Sequence, residues 1–161
     1  MSSEYQVTYE RRPFDVEAGV VEVLRSVGYE CEFAPGTSLL AESTEFFLMK
    51  VKAYPSPKAR IRPERTFLVG AEIYTTSHPS ISSQYNTTVR TTAGRSRLCG
   101  ALQVLVAGSI AKLMEGELHD PQQGVIVGGA HAIAYALRKA QSGSLPHDLR
   151  EEEFIGWPSK A

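Results

Sequence analysis

The chain has 161 residues, 42% hydrophobic and 22% charged, with a formal net charge of −1. This size and balance predict one domain with a core of its own and exclude a disordered chain. The longest uncharged apolar stretches, 98–111 and 121–137, fall short of the roughly 18–20 apolar residues that span a bilayer and carry polar groups, so both read as buried helices.

The opening MSSEYQVTYERR is polar and mixed, so no secretory leader and a cytoplasmic location are expected. Cys31 and Cys99 belong to no Cys-x-x-Cys or Cys/His cluster and read as reduced thiols, and neither metal nor cofactor is expected. The net charge hides two blocks. Residues 1–49 hold nine acids against three bases, and residues 50–97 hold nine bases against Glu64 and Glu72. Such blocks predict a basic face on an otherwise acidic molecule, either solvated or met by an acidic surface of a second copy.

YQVTYERR alternates and reads as a first strand. FDVEAGVVEVLRSVG then spaces Val16, Val20, Val23, Leu24 and Val27 as a helix, with Asp15 as N-cap and Gly28 just past the C-terminus. YECEF, SLLAES and TEFFLMKVKAY follow as strands. In the last, Phe47, Met49, Val51 and Ala53 share one face, while Lys50 and Lys52 share the other. PSPKARIRPE is a proline-rich basic surface loop. RTFLVGAEIYTTS is a further strand, with Gly70 marking a bulge. SHPSISSQYNTT, uncharged and rich in hydroxyls, reads as a loop or polar edge strand that could line a sugar or phosphate site.

A helix is expected to start near Thr92 or one turn later and to end near Gly116, burying Leu98, Ala101, Leu102, Leu105, Ser109 and Leu113. PQQGVIVGGAHAIAYALRKAQSG (121–143) reads as a second helix. Asp120 is its N-cap, Pro121 its first residue and Gln123 its N3, while Gly143 and Pro146 stop it. The alternative is a strand, a turn and a helix, favoured by the β-branched Val125, Ile126 and Val127, although GVIVGG is neither GxGxxG nor a P-loop. In the one-helix reading, Gly128, Ala132, Ala136 and Ala140 form a ladder of small residues. Ser96, Gly100, Val104 and Gly108 form a similar one on the preceding helix, so two axes can approach closely within the chain or across a dimer.

The element order predicts an α+β domain over 1–146. It consists of a mostly antiparallel sheet of four to five strands with one N-terminal and two C-terminal helices on one face. A tail, 147–161, carries Phe154, Ile155 and Trp157 and is expected to dock on the domain or on a partner. Catalytic signals are sparse. Ser109–Lys112 matches SxxK without the KTG or SDN that would accompany it. His78, His119, His131 and His147 are not spaced as metal ligands, and Glu151–Glu153 read as a solvated run. His131 and Tyr135 stand one helical turn apart, where a proton-transfer pair is conceivable.

The first functional expectation is a non-catalytic accessory or assembly protein acting through self-association and protein docking. Its candidate interface residues are Gly100, Gly108, Gly128, Ala132, Ala136, Phe154, Ile155 and Trp157. A second reading binds nucleic acid or a small phosphate compound through Lys50, Lys52, Arg60, Arg62, Arg65, Arg95 and Arg97. A third is a small enzyme with a pocket between sheet and helices that uses His131, Tyr135 or His78.

Overall fold

A computed structural model describes residues 3–42, 45–55, 66–78, 81–91, 96–142 and 151–158. In chain order these form β1 (Ser3–Tyr9), α1 (Glu17–Ser26), β2 (Glu30–Phe33), β3 (Glu45–Ala53), β4 (Phe67–His78) and β5 (Ile81–Thr91). Then come α2 (Arg97–Leu113), β6 (Glu117–Asp120), β7 (Val125–Gly128), α3 (Gly129–Gln141) and β8 (Glu152–Glu153). The fold is α+β with an antiparallel sheet and three helices, as expected. The sheet, however, has eight strands rather than four to five. Seven run in the order β2-β3-β4-β5-β1-β6-β7, and β8 pairs separately with β4.

The strands beyond those expected are β5 to β8, and two misread segments supply β5 and β7. Among the described residues of the hydroxyl-rich tract, Ser77 and His78 end β4, and from Ile81 on the tract is β5, paired by β4 and, from Tyr85, by β1 as well. Its threonines are β-branched and suit a strand. The buried hydroxyls of Thr87 and Thr91 are satisfied inside the fold. Thr87 Oγ1 lies 2.8 Å from both Tyr9 Oη and Thr75 Oγ1, and Thr91 Oγ1 donates to Gln103 Oε1 at 3.0 Å.

The other segment is 121–143, which is not one helix. Asp120 ends β6, a turn follows, and Val125–Gly128 pairs back on β6 as β7 before α3 begins at Gly129. Asp-Pro suits the first two positions of a β-turn as well as a helix start, and Gln123 N donates to Asp120 O at 3.2 Å. Pairing with β6 lets the β-branched run win over the local helix signals.

Smaller corrections have equally local causes. Asp15 does not cap α1, whose N-cap is Val16 with no side-chain bond. Gly28 does close it, at φ +93°, with Tyr29 N on Leu24 O and Gly28 N on Arg25 O. Within 38–42 there is no strand, and Leu39 and Leu40 are buried from a turn, with Leu39 N bonded to Glu17 Oε1 at 2.7 Å. Gly70 is no bulge, because it keeps register with Leu48; the shift in β4 falls at Ser77/His78. A Cβ at Gly70 would meet the Phe46 and Leu48 side chains at 2.7 and 2.9 Å, so the glycine is needed for cross-strand packing.

α2 starts at Arg97, with the Ser96 side chain accepting from Cys99 N at 3.1 Å, and its last helical residue is Leu113. It is buried all round rather than along one stripe, since every residue from Gly100 to Ala111 is inside. Strands β1, β4, β5 and β6 pack against it, and α1 and α3 flank it. Tyr5, Val7, Ile73, Val89 and Leu118 supply the strand side of that core.

Candidate functional site

The strand residues that alternate away from this core form the most extended polar surface of the fold. Strand register sets them in rows. Phe46, Glu72, Arg90 and Glu4 form one row. Tyr74, Thr88, Gln6, His119 and Ile126 form the next, and Thr76, Asn86, Thr8 and Glu117 a third.

Most of their polar groups are engaged within the face. Arg90 Nη2 lies 3.0 Å from both carboxylate oxygens of Glu72. Gln6 Nε2 donates to Glu4 Oε1 at 2.7 Å, and Thr8 Oγ1 shares a hydrogen bond of 2.9 Å with His119 Nε2. Asn86 Oδ1 is buried without a partner. Two large apolar side chains stand exposed at opposite ends, Phe46 (64%) on β3 and Ile126 (61%) on β7. None of these positions was a candidate site residue from the sequence, because residues from Glu4 to Ile126 become neighbours only through strand order.

The predicted site residues scatter. On β3, Lys50 places Nζ 4.8 Å from the Phe154 ring centroid, and Lys52 pairs with Glu32 at 3.4 Å. Arg97 lies at the start of α2, where Nη2 donates to Ser142 O at 3.0 Å. Arg60, Arg62, Arg65 and Arg95 lie outside the described residues, as do His147 and the side chain of His78.

The small-residue ladders meet inside the chain. A Cβ on Gly108 would touch Ala136 Cβ at 2.9 Å and Ala132 O at 3.1 Å, while Gly100 is buried and Gly128 stands before α3 with nothing within 4 Å. In the tail, Phe154 N donates to Thr66 O at 2.8 Å and its ring meets Trp157 edge-on at 4.9 Å. Ile155 is 96% exposed.

The catalytic candidates separate too. Ser109 is buried and donates to Leu105 O, whereas Lys112, one turn on, is exposed. His131 is exposed, and Tyr135 turns to a residue that the sequence marked only as a helix cap. Asp120 is 1% exposed, and its Oδ2 accepts from Tyr135 Oη at 2.5 Å and from Lys139 Nζ at 3.0 Å, leaving Oδ1 buried without a partner. Burial and the Asp120 carboxylate push the Tyr135 hydroxyl far up, so near neutrality it donates and does not serve as a base. The alternation of Leu118 and Asp120 along β6 was the available signal for an inward aspartate. Among the described residues no group of three or more His, Cys, Asp or Glu could hold a metal ion, and no helix is long and apolar enough to cross a membrane.

The two thiols differ. Burial raises Cys31 to about 12 from 9.0, whereas Cys99 is half-exposed on α2. Native protein is therefore expected to give one fast-reacting thiol, Cys99, with a disulfide reagent. Cys31 should react only on unfolding, because burial both hides its sulfur and holds its proton. Two fast thiols in the folded protein would contradict its placement in the core.

No family model matches the chain, and neither a curated protein nor a solved structure does.

Proposed function

We propose that this is a non-catalytic assembly domain whose outer sheet face, turned away from α2, docks onto a second copy of the chain. Helix α2 packs against strands β1, β4, β5 and β6 on the core side, and the residues that alternate away from it make up the docking face of this reading. The observation that carries the reading is the placing of Phe46 and Ile126 at opposite ends of that face. A two-fold axis passing between β5 and β1 would set Phe46 of one copy against Ile126 of the other, an isologous arrangement. The face measures roughly 700 Å² from ordinary strand spacing and rise, near the ~800 Å² per partner of standard interfaces.

Its charges favour a protein over a polyanion. Arg90 and Lys52 are already paired with Glu72 and Glu32, and Lys50 rests on Phe154. Nucleic acid gains affinity when unpaired cations neutralise its phosphates and free its condensed counterions, and among the described residues this face offers few such cations. Sedimentation or native mass spectrometry should find a dimer at micromolar concentration. Phe46→Asp and Ile126→Asp should each weaken it at least about tenfold, as expected for apolar anchors. A wild-type monomer at about 100 μM, or dimers untouched by both substitutions, would dismiss the reading.

A further inference from the structure

A cavity of about 330 Å³ opens on the helix side of the fold, where the first turn of α2 meets the ends of β2, β3 and α3. Tyr29, Tyr54, Leu98 and Ala101 give it aromatic and aliphatic walls, and Arg97 and Glu151 line it with one charge of each sign. The pairing of β8 with β4 holds Glu151 at the rim. Arg97 and Glu151 make no ion pair with each other, and among the described residues Arg97 has the single hydrogen bond to Ser142 O. Tyr29 is 3% exposed overall and is one of the residues that line the cavity.

The cavity thus offers a phenol, one cation and one anion beside apolar walls, and a ligand is held best when it answers all of them. A neutral apolar ligand would leave all three unanswered. A phosphate dianion would find one cation and a repelling carboxylate. The volume, near the lower end of the ~300–1,000 Å³ usual for ligand sites, suits one small molecule and excludes a polymer.

We propose that this cavity binds a zwitterion with an apolar body, an α-amino acid of the aromatic or large aliphatic kind. Its carboxylate meets Arg97 and the Tyr29 hydroxyl, its ammonium meets Glu151, and its side chain lies against Tyr54, Leu98 and Ala101.

The test is calorimetric titration of the full chain with L-phenylalanine, 3-phenylpropanoate and phenethylamine, which keep both charges or one. L-phenylalanine is expected to bind at least about tenfold tighter than either single-charge analogue. Glu151→Gln should erase its advantage over 3-phenylpropanoate, and Arg97→Met its advantage over phenethylamine. Arg97 also holds Ser142, so circular dichroism accompanies that variant. Glu151, exposed at the rim, gives an arm that does not depend on the fold. Equal affinity for the three probes, L-phenylalanine binding unchanged by Glu151→Gln, or no binding at about 10 mM would overturn the assignment.

Discussion

Gly116→Ala is expected to destabilise the domain by about 3 kcal/mol or more, whereas Gly128→Ala should change stability by less than about 0.5 kcal/mol. Gly116 leads from α2 into β6. A Cβ there would lie 2.2 Å from Thr8 O and 2.8 Å from Tyr9 Cβ. The first of these is backbone of a central strand, so no side-chain rotation relieves the clash. Either β1 shifts, disturbing its pairing with both β5 and β6, or α2 lifts from the sheet. Gly129→Ala should fall between the two, because its Cβ would meet Ala111 O at 2.6 Å and Gly116 O at 3.0 Å. Thermal unfolding reads all three. At roughly 2–4 °C per kcal/mol for a domain of this size, Gly116→Ala should lower Tm by about 10 °C. Equal Tm values for Gly116→Ala and Gly128→Ala would mean that the helix–sheet junction is looser than its geometry.

Asp120→Ala should cost about 3 kcal/mol, the other large effect. The loss is not simply that of one ion pair. It would strand the Lys139 ammonium, 16% exposed, and the Tyr135 hydroxyl against α3 with no acceptor. Lys139→Met in the same chain removes the stranded charge and should recover at least about 1 kcal/mol, a coupling that a double-mutant cycle reads directly. Asp120→Asn keeps an acceptor for Tyr135 and should cost less than Ala. Denaturant midpoints of the four proteins decide the matter, and additive losses would show that Asp120 and Lys139 act independently.

Alkaline pH gives a third stability test. Burial holds Cys31 and Tyr29 each at about 12 in the fold, against ordinary values of 9.0 and 10.0. The folded protein thus keeps protons that the unfolded chain releases. The sign follows: their contribution is fully present below pH 9 and is lost as pH rises from there through 12, with each tenfold difference in proton affinity between the folded and unfolded chain contributing about 1.4 kcal/mol. Urea titrations should show a flat stability below pH 9 and a decline above it, and Cys31→Ala should delay the onset towards pH 10.

Which features are legible in the residues alone follows from the range of the forces involved. Features governed by a few neighbouring residues can be read directly. α1 ends at Gly28 because a left-handed residue is needed there, and β3 buries Phe47, Met49 and Val51 because side chains alternate along a strand. The α+β class and the closeness of two helices through Gly108, Ala132 and Ala136 follow from the same local periodicities.

Where local chemistry is ambiguous, only the tertiary structure could choose. Asp120-Pro121 fits a helix cap and a turn equally, and pairing with β6 selected the turn. A run of serines and threonines reads as loop until Tyr9, Thr75 and Gln103 are placed to bond its hydroxyls. The candidate sites lay further out of reach, since an interface row from Phe46 to Ile126, or a cavity shared by Tyr29, Arg97 and Glu151, exists only when distant segments meet. The amino-acid order determined α1 and α2, the alternation of the strands and the fold class, but not where α3 begins. The partner of each strand, the burial of Asp120 and the surfaces available for binding were decided by packing, because the free energy of burying an edge or a face depends on what covers it.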